Sequence, residues 1–314
     1  MPLDLDRIRA AHDRIRKYIH RTPVLTSSRL DEASKAKLFF KCENLQKIGA
    51  FKARGATNAV FSLDDTAAKR GVATHSSGNH GTALARAAKL RGIPAHIVMP
   101  KNSAKVKVRA VESFGAHIIF CEPNDAAREA ACNDVIAKTG ATLIHSFENE
   151  DVMAGQGTTA IELVEDADVD VVVCPVGGGG LLSGIAVAAK SMRPKIKVIA
   201  VEPANADDTA QSFQAKKRMV TEKKFTIADG LRTNVGEKTF PIVQGYVDDV
   251  ATVSEEAIVT AMRTIWETMK IIVEPSAAVP YAAIADGRIN VAGKRVGIIL
   301  TGGNVDLDTL PWLL

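Results

Sequence analysis

Cysteine is scarce and scattered in this sequence: Cys42, Cys121, Cys132 and Cys174 form no C-x-x-C pair and stand beside no histidine cluster. That spacing excludes a zinc finger and a disulfide framework, and it makes a cytoplasmic protein with reduced thiols the expectation. Long apolar runs are missing too. No stretch approaches the roughly 20 apolar residues of a membrane span. Near the N-terminus, Leu5, Ile8, Ala11, Ile15 and Ile19 recur at helical spacing but are interrupted by charges, a pattern that a signal-peptide core does not show. Nor does one sign of charge dominate. Forty Lys and Arg stand against 36 Asp and Glu, with no basic stripe, so neither nucleic acid nor a membrane surface is an expected partner.

What the sequence does contain is alternation. From Val72 onward, short β-branched runs ("VATHS", "AHIVMP", "HIIFCE", "TLIHSF") are separated by Ala-rich helical stretches, one of them from about His80 to Leu90. A second series reads "VDVVVCPV", "KVIAVEP" and "RVGIILTGG". Such alternation predicts βαβ units on parallel sheets, whose strands are apolar throughout because both faces are covered. Two sheets are expected, and 314 residues suffice for one large or two medium domains. Ser254, followed by Glu255 and Glu256, reads as a helix start. "QAKKRMVTEKKF" reads as a solvated loop. In open α/β folds, ligands bind beyond the carboxyl ends of the strands, which directs attention to the loops there.

Three stretches stand out. "KIGAFKARGA" frames Lys52 between a Gly-Ala-Phe tripeptide and a glycine-bounded helix start, although by itself it also fits a solvated helix lysine. "PVGGGGLLSG" places Gly177, Gly178, Gly179 and Gly180 between a buried strand and a helix. Four consecutive glycines lose much backbone entropy on ordering. A run of bare N–H groups at a helix start suits a phosphate, and a tight turn is the plainer alternative. The run is followed by no Lys-Ser/Thr and fails the dinucleotide spacing. "THSSGNHG" offers Ser76, Ser77, Gly78, Asn79 and His80 at another helix N-terminus, which suits a carboxylate and equally suits a helix cap. A framed lysine, a phosphate cradle and a carboxylate loop are what a pyridoxal-phosphate enzyme acting on an amino acid requires.

Together, "HRTPVL", "KCENLQKIGAFKARGA", "THSSGNHG", "AGQGT", "PVGGGG", "VEPANADD" and "LTGGNVDL" occur in the order in which they occur in the serine racemase and serine/threonine dehydratase family, which the chain resembles from about residue 20 to 307. The resemblance implies an α/β, fold-type II pyridoxal-phosphate enzyme, similar to the tryptophan synthase β chain. It would have two open, twisted, mostly parallel sheets flanked by helices. Lys52 would join the cofactor aldehyde through an imine, Phe51 would pack on the cofactor and Asn79 would bond its ring hydroxyl. Gly177 to Gly180 would hold the phosphate, Thr301 would sit beside the pyridine nitrogen, and Glu274 belongs to the same cofactor-binding set. Ser77 would face the lysine across the cofactor, giving racemisation the second proton carrier it needs. Ser76, Ser77, Gly78, Asn79, His80 and Arg128 would receive the substrate. Glu202, the Ala206 carbonyl and Asp208 would bind Mg²⁺, Ca²⁺ or Mn²⁺, although an acidic helix start capped by Asp207 or Asp208 explains the same residues.

By the same resemblance, the chain would be a homodimer acting on a hydroxy amino acid. Residues 1–70 and 148–314 would form a large cofactor-binding domain, and 71–147 a small domain carrying the Asn79 loop. The expected activity is serine racemisation with elimination of L-serine to pyruvate and ammonia. The alternative is dehydration of threo-3-hydroxyaspartate or threonine, in which Arg128 would meet a second carboxylate. Departures from the family pattern are Ile48 and Ala50, where relatives often carry hydroxyls. Thr82 replaces a glutamine that animal racemases associate with nucleotide activation, which counts against ATP as an effector. A non-catalytic amino-acid-binding protein and a nucleotide-dependent oxidoreductase are the readings from other classes, to be separated by a pyruvate assay and by cofactor absorbance.

Overall fold

The computed structural model describes residues 3–76, 78–103, 105–222 and 225–313, with Val106 described in its backbone alone. Ser77 therefore lies outside the described residues. The strands are β1 (Val24–Leu25), β2 (Lys37–Cys42), β3 (Val72–His75), β4 (Ala95–Pro100), β5 (His117–Cys121), β6 (Thr142–Leu143), β7 (Val171–Pro175), β8 (Lys197–Pro203), β9 (Asp249–Val253) and β10 (Arg295–Leu300). They form a six-stranded sheet ordered β1-β2-β10-β7-β8-β9 and a four-stranded sheet ordered β5-β4-β3-β6. Among the strand pairings of the described residues, β1–β2 is antiparallel and the others are parallel.

The apolar runs became strands because helices cover both faces of each sheet. All five residues of β7 are buried. On one side of the six-stranded sheet, Leu38, Phe40, Val173 and Ile298 pack with the helices Glu255–Met269 and Pro275–Ala285. On the other, Val172, Val198 and Ile299 meet the helices Glu150–Asp166 and Gly180–Met192. The first helix, Leu5–Ile15, turns Ile8, Ala11 and Ile15 inward, as their spacing predicts, and Ile19 lies beyond its end. Ser254 caps its helix by accepting a hydrogen bond from the Ala257 N–H at 3.2 Å.

"TLIHSF" departs from expectation. Only Thr142–Leu143 is strand, because His145 Nδ1 accepts hydrogen bonds from the N–H groups of Phe147 (3.3 Å) and Glu148 (3.0 Å) and bends the chain into a turn.

The helix Lys52–Ser62 follows β2 and places Ala56, Ala59 and Val60 in the core of the four-stranded sheet. Ile48 packs against that core, whereas Phe51 packs against the core of the six-stranded sheet. Lys52 thus stands between Phe51, anchored to one core, and a helix anchored to the other.

Candidate active site

The segment leading into Lys52 is laced along the exit of β10. The Phe51 N–H donates to the Thr301 carbonyl at 2.9 Å, the Gly303 N–H to the Gly49 carbonyl at 2.9 Å, and Ala50 pairs with Gly302 in an antiparallel bridge. Lys52 keeps some accessible surface, yet it is embedded deeply enough that burial alone brings its pKa down to about 8. A lowered pKa gives the neutral, nucleophilic amine a substantial population near neutrality. Its Nζ donates to the Ser146 carbonyl at 2.9 Å and lies 5.1 Å from the centre of the Phe51 ring.

Gly177, Gly178 and Gly179 link β7 to the helix that Gly180 begins. The N–H groups of all four glycines find no partner among the described residues. Gly179 has φ of +86° and initiates the helix without a side-chain cap. A Cβ at Gly178 would coincide with the Phe147 ring, so the bare backbone is a packing requirement as well as a run of free donors. The Thr239 hydroxyl holds the turn by donating to the Gly178 carbonyl at 2.7 Å. Unpaired donors at a helix N-terminus form a site for a phosphate-sized anion.

The loop after β3 leads into the helix Asn79–Arg91, whose first N–H groups, on Asn79, His80 and Gly81, are also without partners among the described residues. Ser76 Oγ accepts from the Gly78 N–H at 3.4 Å. Asn79 Nδ2 donates to both carboxylate oxygens of Glu274, at 3.1 and 3.2 Å. Burial, with Asp229 adding to it, pushes the Glu274 carboxyl up to about 7. The imidazole of His80 is buried and donates from Nε2 to the Ile144 carbonyl at 2.8 Å, so what His80 offers a ligand is its main-chain N–H. Burial holds the ring pKa down at about 3, with the Lys52 charge adding.

Lys52, Phe51, Asn79, Glu274 and Thr301 are thereby brought together where strand ends of the two sheets face each other. Arg128 sits on the helix Asp125–Thr139 behind the four-stranded sheet; its Nη1 contacts Asp125 at 3.4 Å while its buried Nε has no partner among the described residues. Glu202, Ala206 and Asp208 gather separately at the end of β8. The N–H groups of Thr209 and Ala210 donate to Glu202 at 3.3 and 2.7 Å, and the Val235 N–H donates to Asp208 at 2.6 Å. Of the two capping candidates, Asp207 makes no side-chain cap and binds the Gln211 amide at 2.9 Å, while Asp208 stands in the first turn of the helix Asp208–Ala215. Burial, reinforced by Asp208, raises the Glu202 carboxyl to about 8.

Sequence reasoning missed the turn from His145 to Phe147, which supplies the carbonyl over Lys52 and the ring against Gly178. It also missed the contacts of Asn304, although that residue lies within the quoted "LTGGNVDL". Residues 15–302 match the pyridoxal-phosphate-dependent enzyme family. The chain belongs to that family. A serine racemase of Arabidopsis thaliana is 50% identical over 98% of this chain and 95% of its own. A beta-hydroxyaspartate dehydratase of Paracoccus denitrificans is 49% identical over 96% of each. The solved structure of maize serine racemase superposes with a TM-score of 0.96 at 48% identity, covering 100% of this chain and 97% of that one. The two mostly parallel sheets flanked by helices are those of a fold-type II member of the family.

The residues present fit the family's cofactor. The lysine amine is buried with a lowered pKa, the tetraglycine turn presents free N–H groups where no side chain could be accommodated, and the Asn79 main-chain N–H has no partner among the described residues.

Proposed function

We propose that this chain is a serine racemase that also eliminates water from L-serine, releasing pyruvate and ammonia. The observation that carries the reading is the buried Lys52 amine, with a pKa of about 8, in a chain that matches serine racemases over nearly its whole length.

Pyridoxal phosphate, when bound, supplies an electron sink that acidifies the substrate α-carbon. It would be held by Lys52, by the N–H groups of Gly177 to Gly180 and by Asn79, with Phe51 against it and Thr301 beside its ring nitrogen. The substrate carboxylate would lie on the first-turn N–H groups of Asn79 and His80, beside Ser76 and Gly78. Neutral Lys52 takes the α-proton on one face, and Ser77 carries a proton on the other when the product is D-serine. A hydroxyl at Thr301 cannot hold the ring nitrogen protonated as a carboxylate would, and this favours departure of the β-hydroxyl.

Residues 71–147 are proposed as a small domain that closes over the substrate and excludes water. The ion pair between Lys107 Nζ and Asp229, at 2.7 Å, joins the helix Lys105–Glu112 beside the four-stranded sheet to the loop over the tetraglycine turn. Glu202, the Ala206 carbonyl and Asp208 are proposed to hold Mg²⁺, Ca²⁺ or Mn²⁺. The Thr209 hydroxyl is buried beside Glu202, and a hard cation completed by water suits such oxygens. No cluster of three or more acidic, His or Cys side chains is found among the described residues, so this cation would rest on two carboxylates. A homodimer in the cytoplasm is the assembly and location proposed. The four buried, unpaired thiols accord with a reducing compartment, and among the described residues no helix is long and apolar enough to cross a membrane. Thr82 gives ATP no amide to bind, so ATP is left out of this reading.

A second reading, dehydration of threo-3-hydroxyaspartate, is favoured by the unpartnered Nε of Arg128 and by the dehydratase relative. A panel of L- and D-hydroxy amino acids, scored for keto-acid release and by chiral chromatography, separates the two. Pyruvate and D-serine from L-serine are expected; turnover of hydroxyaspartate alone would establish the second reading, and no turnover of any member would overturn both.

A further inference from the structure

Asn304 belongs to no part of the assigned site, yet its carboxamide stands between two parts of it. Its Nδ2 donates to the Ile48 main-chain carbonyl and to the Asn79 side-chain oxygen, each at 2.8 Å, which uses both amide hydrogens. Its own N–H donates to Glu274 at 3.2 Å. Since Asn79 in turn donates to Glu274, the orientation of both amides is dictated by their partners.

The turn that Asn304 grips is unusual. Ile48, a β-branched residue, has φ of +59°, and Gly49 follows at +69°. A Cβ on Gly49 would lie 2.7 Å from Asn304 Oδ1, so this turn closes directly against the carboxamide. Left-handed conformations of β-branched residues persist only where their surroundings over-determine them. Four residues later stands Lys52. Asn304 itself is exposed, so its side chain fills no cavity in the core.

We propose that Asn304 is a positioning residue: its carboxamide couples the turn that aims the Lys52 amine to the loop that receives the substrate carboxylate through Asn79. The inference rests on Lys52 and Asn79 acting as proposed above. Asn304→Asp puts a carboxylate of nearly the same shape against two carbonyl oxygens and Glu274, while Asn304→Ala removes the donor.

The test begins with hydrogen exchange on the full chain without cofactor. In both variants the amides of Phe51 and Ala53 and that of Thr82 should exchange about tenfold faster or more, while those of β7 are unchanged. With cofactor bound, kcat should fall about tenfold or more while the cofactor dissociation constant changes less than about threefold. Loosening of one segment alone, or of neither, overturns the coupling, as does an unchanged kcat. An Asn304→Ala chain that fails to fold overturns it too, because the residue would then be structural. Failure of the underlying reading shows differently: Lys52→Ala would remain active while the exchange result stood.

Discussion

Acidification offers a quantitative test of the packing beneath the active site. The ring of His80 is fully enclosed, its Nε2 donates to Ile144 and its Nδ1 has no partner among the described residues, so burial holds its pKa at about 3 against 6.5 in the unfolded chain. A base whose folded pKa is depressed contributes stability that is complete above the unfolded value and disappears as pH falls through the folded one. Between pH 7 and pH 5 the unfolded histidine becomes almost fully protonated and the folded one hardly at all, a loss of about 2 kcal/mol.

The parent protein alone will not show this loss. Glu274, raised to about 7, acts with the opposite sign. Its stability is complete below the unfolded carboxyl pKa and is lost as pH rises through the folded value, so acidification over the same interval returns about 2 kcal/mol. The informative quantity is therefore the difference between parent and His80→Gln, a variant whose amide can still donate to Ile144. Urea unfolding at both pH values should show the parent's advantage over His80→Gln shrinking by about 2 kcal/mol at pH 5. A difference that does not change with pH would refute the assignment of a buried neutral ring.

Arg54 places bidentate hydrogen bonds on both Glu43 and Glu162 inside the protein, where Lys41 also binds Glu162 at 2.7 Å and His12 Nε2 lies 3.6 Å from it. Arg54→Leu leaves one uncompensated negative charge and should cost about 3–5 kcal/mol, lowering Tm by roughly 10 °C; a shift near zero in a thermal melt would count against it. Gly178→Ala should weaken cofactor binding about tenfold or more by absorbance titration, and the added Phe147→Ala should restore much of it by vacating the ring's place. Lys107→Ala removes a part-exposed ion pair and should change stability by less than about 1 kcal/mol while raising KM for the amino acid several-fold. An unchanged KM there would argue against closure through this pair.

The parts of the fold that were legible in the sequence are those whose signal is local. β3, β4, β5, β7, β8 and β10 are apolar runs bounded by turn residues, and the tetraglycine and Asn79 loops advertise themselves by composition. β2 is hard to read in the sequence because "KLFFKC" carries Lys41, whose burial is made tolerable by Glu162, 121 positions away. β9, "DVATV", is short and half-buried, with too little apolar content to register. The turn before Lys52 was illegible for a different reason. A left-handed conformation at Ile48 contradicts its local preference, and what enforces it arrives from Asn304, 256 residues along the chain.

That distance bears on how the site works. A lysine on a single element would keep its aim whatever the rest of the molecule did. Lys52 instead follows a turn whose Ile48 is packed against the four-stranded sheet and whose Phe51 is packed against the six-stranded one, while its amine reaches the Ser146 carbonyl in the turn above the tetraglycine run. Any displacement of one sheet against the other must therefore be absorbed within the few residues that set the direction of the amine. The lacing of residues 49–51 onto 301–303 ties the lysine turn to the exit of β10, and the proposed coupling through Asn304 would make the Asn79 loop move in register with that turn. If residues 71–147 close over the substrate as proposed, these contacts would make that closure and the aiming of the Lys52 amine one motion.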